Sequence, residues 1–325
     1  MTDRRRDVQV IDCTIRDGGC CNDWWFEPEL VRETCTALSL AGVDVMEIGY
    51  QTTPGALAKK EVGPWRFCAE DDLLDVVDEN HLKLATMVDI GRIKLSDLRP
   101  AKDSVISAIR VATYARDIDV AIDILHGAQD LGYEVYCNVM AVSTCTPHQV
   151  DAFLERLRMS RINNVTLVDS YGAMYPHHIR YLIRKYKNWL RADQSVGVHL
   201  HNNQETAFAN TIAAIDEGAD FADATVFGMG RGAGNCPLEL LLMYLDNPNH
   251  DVRPILPLMA KYSTIREDLK WGYHPPYAIS GWLNVHPKEA IEQMRREDAY
   301  RLLSYYDGLI EEHNPQRHHR ALPGA

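Results

Sequence analysis

The sequence predicts a (β/α)₈ barrel with a helical carboxyl-terminal extension, and three observations carry that prediction. Eight short apolar runs recur at fairly even spacing, segments with helical spacing lie between them, and the strand period vanishes after about residue 250. The alternation occupies about 240 residues, close to the roughly 250 of a (β/α)₈ unit. An open, doubly wound sheet shows the same alternation. It usually places a G-x-G-x-x-G turn after its first strand, and residues 14–22 lack one, so the barrel is the better reading.

In order, the strand candidates are VQVIDCT (8–14), DVMEIGY (44–50), KLATMVD (83–89), SAIRVAT (107–113), YEVYCNVM (133–140), NVTLVDS (164–170), SVGVHLH (195–201) and ADATVFG (222–228). Helical spacing marks 28–42, 119–132, 148–160, 176–190 and 203–219, several of which end in glycine, as helix carboxyl termini often do. The predicted division is a catalytic barrel over 1–250 and a helical extension over 251–325. No linker rich in Gly, Ser or Pro separates the two, so the extension is expected to pack on the barrel and to offer a face to a partner subunit.

Composition narrows the function classes. The chain has 325 residues and a formal net charge of -12, which argues against a general binder of nucleic-acid backbones. The basic stretches Arg4–Arg6 and Arg317–Arg320 sit at the termini and read as solvated tails. No window approaches the roughly 18 apolar residues of a membrane span. The opening MTDRRRDVQV lacks the apolar core of a secretory signal. Eight cysteines without C-x-x-C pairs fit reduced thiols in a cytoplasmic protein.

Barrel chemistry collects at the carboxyl ends of the strands. There the sequence places Arg16-Asp17-Gly18-Gly19 after the first strand, Asp169-Ser170-Tyr171-Gly172 after the sixth, and His199-Leu200-His201 at the seventh. GMGRGAGN follows the eighth. Residues two apart on a strand share a face, so His199 and His201 point the same way. Taken alone, the pair is as well explained by two packed histidines. With Asp17 they make a carboxylate-plus-two-imidazole set for a divalent ion, and the mixed O and N donors favour Mn²⁺ or Mg²⁺ while leaving Zn²⁺ open. Asn235 offers a further neutral oxygen. Arg16 can present a cationic fork to a carboxylate or oxyanion, or form a structural ion pair with its neighbour. GMGRGAGN is not a P-loop, and glycine density alone equally describes a tight turn. Tyr171, Thr113, His274 and Asn138, at or near strand ends, are further pocket candidates, each with an ordinary packing explanation.

Together and in order, DCTIRDGG, VDSYGAM, GVHLHNN and GMGRGAGN resemble the DRE-TIM metallolyases, most nearly the 4-hydroxy-2-oxovalerate aldolases, over about residues 8 to 290. The resemblance implies a metal-dependent aldolase or lyase that acts on a 4-hydroxy-2-oxo acid through a pyruvate-type enolate. It places the metal on Asp17, His199 and His201, with Asn235 at or beside it. It implies that Arg16 stabilises the enolate and that Ser170 lines the pyruvate site. GYHPPYAIS (272–280) matches the segment that delivers a tyrosine over the site, with Tyr277 the match and Tyr273 its neighbour. The expected ligands are a 2-oxo acid and an aldehyde. The implied partners are further copies of the chain, as a dimer or larger oligomer, and an aldehyde dehydrogenase.

One position departs. Cys20 stands where those aldolases carry the histidine that handles the substrate 4-hydroxyl, and a thiol of pKa about 8.5 is a poor base at neutral pH. The proton shuttle is therefore not carried over, and CCNDWWF (20–26) reads as an altered acceptor pocket or a hydrophobic plug. Two alternatives stand beside the aldolase: a Claisen-type synthase joining an acyl-CoA to a 2-oxo acid on the same metal, and a non-catalytic scaffold. The G-E-R-A-G-N of such synthases is replaced here by Gly230-Arg231-Gly232-Ala233-Gly234-Asn235, which favours the aldolase.

Overall fold

The computed structural model describes residues 4–53, 55–57, 61–77 and 82–313; the basic stretch Arg317–Arg320 lies outside them. Eight parallel strands close into a barrel in sequence order: β1 Gln9–Asp12, β2 Val45–Tyr50, β3 Lys83–Asp89, β4 Ile106–Thr113, β5 Glu134–Val139, β6 Asn164–Asp169, β7 Ser195–Leu200 and β8 Phe221–Ala224. Closure is made by β1 against β8, with Gln9 opposite Phe221 and Ile11 opposite Asp223.

The helices are α1 Thr14–Asn22, α2 Pro28–Leu40, α3 Glu70–Leu74, α4 Ile118–Asp130, α5 Pro147–Met159, α6 Pro176–Trp189, α7 Ala207–Asp216 and α8 Leu238–Leu245. Beyond the barrel come α9 Ile255–Leu269, α10 Pro275–Trp282, α11 Lys288–Met294 and α12 Leu302–His313. The predicted fold class therefore holds, with local differences. The first run leaves the sheet at Asp12, and Thr14–Asn22, which carries the R-D-G motif, is helical. The eighth strand stops at Ala224 because Val226–Gly228 forms a tight turn with Phe227 at φ 54°. Only two 3₁₀ turns, Leu95–Asp97 and Ala101–Asp103, link β3 to β4.

Alternation along the strands sorts the side chains into two compartments. Outward residues such as Val10, Met46, Ile48, Ile109, Val111, Val165 and Leu167 join the helices in the main core. Inward residues stack in layers. The lowest holds Ile11, Val45, Ala85, Ala108, Tyr136 and Phe221, with Tyr136 edge-on to Phe221 at 5.4 Å. Gly197 makes room for this layer, since a Cβ there would sit 2.1 Å from the Phe221 ring. The next layer is ionic: Glu47, Arg110 and Asp223, all fully or almost fully buried. The mouth lies above it.

The helices after the barrel return to this mouth. Tyr262 on α9 lies 3.0 Å from Thr34 on α2. Tyr277 and Ala290 pack on Ala233 in the loop after β8, Asn203 donates to the Tyr277 carbonyl (3.3 Å), and Ser143 bonds Asn284 (2.7 Å). All eight cysteines are free thiols, and no helix among the described residues is long and apolar enough to cross a membrane.

Candidate active site and metal centre

The β1–α1 junction places Arg16 and Asp17 in the first turns of a buried helix, under the mouth of the barrel. Arg16 is held from two sides: Nε donates to Glu47 Oε2 (2.5 Å) and Nη1 to Asp17 Oδ1 (2.6 Å). Burial opposes ionisation of Asp17, yet the Arg16 guanidinium beside it, with Arg231 further out, outweighs burial and holds the carboxyl well below its usual range.

His199 ends the inward row of β7, and His201 follows the strand in an isolated bridge to Asn235. Their rings lie 5.2 Å apart. His199 Nδ1–H donates to Asp223 Oδ2 (2.9 Å), which leaves Nε2, a buried atom with no hydrogen-bond partner among the described residues, for the cluster. His201 Nδ1–H donates to the Gly234 carbonyl (3.2 Å), which likewise frees Nε2. Burial pushes the His201 pKa down to about 3, so its imidazole is neutral.

Ligand atoms of Asp17, His199 and His201 all lie within 4.8 Å of one another. The Asn235 amide donates to Asp17 Oδ2 (2.6 Å) and to the Met229 carbonyl (3.1 Å), leaving a buried Oδ1 with no partner among the described residues. Two imidazoles, one carboxylate and an orphaned amide oxygen fit a divalent cation. A second grouping, Cys13, His199 and Asp223, does not: burial and the adjacent carboxylates push the Cys13 thiol up, and Asp223 is taken by His199 and Arg110. The glycine-rich loop has a specific role at this point. A Cβ on Gly230 would meet Asn235 Nδ2 at 2.1 Å and Asp17 Oδ2 at 2.5 Å, so only glycine lets the loop close over the carboxylate.

A cavity of about 110 Å³ opens on this cluster, with Arg16, Asp17, Cys20, Tyr50, Asn138, Ser170, Tyr171, His199, His201, Arg231 and His286 in its walls. That is well below the roughly 300–1,000 Å³ of sites for drug-sized ligands, and it suits a small acid. Ser170 is oriented by the Ala141 N–H, which donates to its Oγ (2.9 Å).

Among the residues singled out from sequence, the cavity thus gathers Arg16, Asp17, Cys20, Ser170, His199 and His201 together with Asn138 and Tyr171, and Asn235 bonds Asp17 from behind. Tyr277 instead lines an adjoining cavity on the other side of Cys20 and Cys21, beside Gly232, Lys270 and Arg295. Tyr273 is exposed, and His274 bonds Tyr300 (2.9 Å). Burial pushes the Cys20 thiol up to about 12. Trp24 stands behind α1, donating from Nε1 to the Arg16 carbonyl (2.9 Å) and packing edge-on to Tyr50, while Phe26 joins the core; this aromatic stretch backs the wall and does not line it.

The sequence reading missed Glu47, Arg110, Asp223 and His286. The first three had a visible signal, a lone charge inside an apolar strand run (VMEIGY, ISAIRVAT, FADA), and such charges stay buried only when paired.

A closed eight-stranded barrel carrying a carboxylate–bis-imidazole cluster at the carboxyl ends of its strands defines the metal-centred class of TIM-barrel enzymes. The HMGL-like family model matches residues 7–259, and the chain belongs to that family, the DRE-TIM metallolyases. It is 31% identical over 287 residues to the oxaloacetate decarboxylase of Mycobacterium tuberculosis, covering 87% of this chain and 82% of that one. It is 30% identical over 318 residues to the 4-hydroxy-2-oxovalerate aldolase of Thermomicrobium roseum, covering 90% and 87%. Among solved structures, an N-terminal domain from Bacteroides vulgatus superposes with a TM-score of 0.78 at 27% identity, covering 93% of this chain and 100% of that one. The hydroxymethylglutaryl-CoA lyase of Pseudomonas aeruginosa shares the fold, with a TM-score of 0.67 at 20% identity over 80% and 93%. The chain is accordingly an enzyme, a lyase acting on carbon–carbon bonds.

Proposed function

We propose that this lyase makes or breaks the bond at C3 of a 4-hydroxy-2-oxo acid through a pyruvate-type enolate, with a divalent ion, Mn²⁺ or Mg²⁺, held by Asp17, His199 and His201. The carrying observation is the convergence of these three buried ligand residues with the Asn235 Oδ1; His199 Nε2 and that oxygen are buried without a hydrogen-bond partner among the described residues. When bound, the ion supplies the Lewis acidity that stabilises an enolate.

The remaining work falls to the chain. Asp223 holds His199 in the tautomer that turns Nε2 toward the cluster. Arg16, immobilised by Glu47 and Asp17, sets a fixed positive charge beside the site where the enolate oxygen develops, with no reorganisation needed. Ser170 borders the pyruvate end. Tyr277, behind Cys20 and Cys21, supports the acceptor side of the wall from the adjoining cavity.

A second reading is favoured by Cys20. With its thiol pushed up to about 12, it does not take a proton from a 4-hydroxyl at neutral pH. Decarboxylation of an oxaloacetate-type acid needs no such base: the C3–C4 bond breaks, CO₂ leaves, the electron pair stays on C3 as the enolate, and solvent returns a proton. The similarity to an oxaloacetate decarboxylase supports this branch.

Enolate formation is tested by exchange of the pyruvate methyl protons in D₂O, using protein stripped of metal and reloaded with Mn²⁺ or Mg²⁺. Metal-dependent exchange that disappears in His199→Ala is the expected result; absence of exchange with either ion defeats the reading. The branches are then separated by offering 4-hydroxy-2-oxovalerate and oxaloacetate and assaying acetaldehyde against CO₂.

A further inference from the structure

The inner half of the cavity is explained by the metal ligands and Arg16. Its rim is not. Arg231, in the loop after β8, and His286, in the turn before α11, come from distant parts of the chain and line the same cavity. Each side chain makes one hydrogen bond among the described residues, and its other N–H groups have no protein partner there.

The other guanidinium groups around the site are matched: Arg16 by Glu47 and Asp17, Arg110 by Asp223 and Glu47, and Arg66 by Asp89. Arg231 differs. Its Nη2 donates to the Ser170 carbonyl (2.9 Å), Asp17 meets its backbone N–H (3.4 Å), and its guanidinium forms no ion pair among the described residues. A guanidinium on a cavity wall with most of its donors free is shaped for a carboxylate, which its planar fork can take in bidentate fashion. Asp89 is the other carboxylate on the wall. Its pairing with Arg66, whose guanidinium lies 3.6 Å from the Tyr50 ring centre, keeps it from repelling an anion there.

His286 complements Arg231. Its Nδ1 accepts the Lys288 N–H (3.1 Å), so the neutral ring carries its proton on Nε2. The ring is exposed on one side; its partial burial and then the charge of Arg231 lower its pKa, and Lys288 acts in the same direction. The ring packs edge-on to Tyr171 at 5.4 Å. An imidazole fixed in that tautomer donates from Nε2 and is no base there, so it does not replace the histidine missing at Cys20. Together the two residues offer a guanidinium fork and an N–H donor on the side of the cavity away from the barrel floor.

We propose that Arg231 and His286 form a second carboxylate subsite at the rim, and that the 2-oxo acid this enzyme takes is a short dicarboxylic one. The inference rests on the enolate reading only for the other end of the molecule, the 2-oxo carboxylate at the metal ligands. A cavity of about 110 Å³ limits the chain between the two ends to a few carbons.

The test compares acids of equal length with and without the second carboxylate: oxaloacetate with 2-oxobutyrate, and 2-oxoglutarate with 2-oxopentanoate. Each is mixed rapidly with the Mn²⁺-loaded full chain, and binding is read from tryptophan fluorescence before turnover. In the wild type, at least one dicarboxylate should bind about tenfold or more tightly than its mate, the strength of one charge-assisted contact. That preference should shrink to about threefold or less in Arg231→Gln, survive in part in Arg231→Lys, and fall by a smaller factor in His286→Gln. Equal affinity within both pairs in the wild type overturns the subsite and leaves the enolate reading standing. No binding by any of the four overturns both.

Discussion

The proposed centre depends on which nitrogen of His199 carries its proton, and a residue outside the ligand set decides that. Asp223 takes the Nδ1 proton at 2.9 Å and is itself held by Arg110 at 2.7 Å. Burial works against the Asp223 carboxylate, yet Arg110 and His199 keep its pKa down at about 2, so it stays an acceptor throughout the working range. Asp223→Asn keeps the size and loses the charge. Mn²⁺ affinity should fall by about 10–100-fold, the usual penalty for removing such a support, as measured by titration with detection of free Mn²⁺. An unchanged affinity would mean that Asp223 does not orient the ligand. At this scale the sequence was partly legible. His199 and His201 could be paired because strand alternation is a local rule, and Asp17 stood out through R-D-G. Asp223 could not, since its meeting with His199 is fixed by the closure of β8 on its neighbours.

The turn from β1 into α1 carries the R-D-G segment, and its anchor is Asp12. Both carboxylate oxygens of Asp12 accept from Thr14, from N at 3.0 Å and Oγ1 at 2.6 Å, and Thr14 Oγ1 accepts the Val226 N–H across the barrel seam (2.8 Å). Burial nevertheless pushes Asp12 up to about 7, the Thr14 hydrogen bonds opposing it only in part. A carboxyl whose folded pKa lies above the unfolded value of 3.8 binds its proton more tightly when folded. Its stabilisation is complete below the unfolded value and is lost as pH rises through the folded one. From pH 5 to pH 8 the wild type should lose roughly 2–3 kcal/mol relative to Asp12→Asn, measured by urea unfolding at the two pH values. A constant difference would show that Asp12 is ionised throughout. Strand runs were readable to within a few residues because apolar clusters mark them. The helix over Thr14–Asn22 was not, since two glycines, two cysteines and an arginine carry no helical periodicity, and only packing under the mouth holds them in that form.

At the scale of the whole barrel, the alternation of strand and helix made the architecture legible, and four ordered motifs marked the mouth. Between floor and mouth, the lone charges in three apolar strand runs were visible one by one, but their meeting in a single layer was not, because three separate strands bring them together. Glu47 on β2, Arg110 on β4 and Asp223 on β8 span the interior, and Arg16 joins them to Asp17, so five charges link the barrel wall to the proposed metal cluster. Likewise, His286 reaches the cavity only because Tyr277, Ala290 and Asn284 seat the carboxyl-terminal helices on the mouth, a contact no local pattern announces. The ionic layer should behave as one unit. Arg110→Met fills the space but leaves Glu47 and Asp223 facing each other without their shared cation, where removal of one partner from a buried pair costs about 3–5 kcal/mol. Adding Asp223→Asn to Arg110→Met should recover part of that loss, because the uncompensated charge is gone, while Mn²⁺ affinity stays low because His199 has lost its anionic support. Urea unfolding of the single and double variants measures the first effect and Mn²⁺ titration the second. A single variant within about 1 kcal/mol of the wild type would show that the layer relaxes by taking up protons or water. A double variant less stable than the single would show that Asp223 serves the barrel through its size and hydrogen bonds more than through its charge.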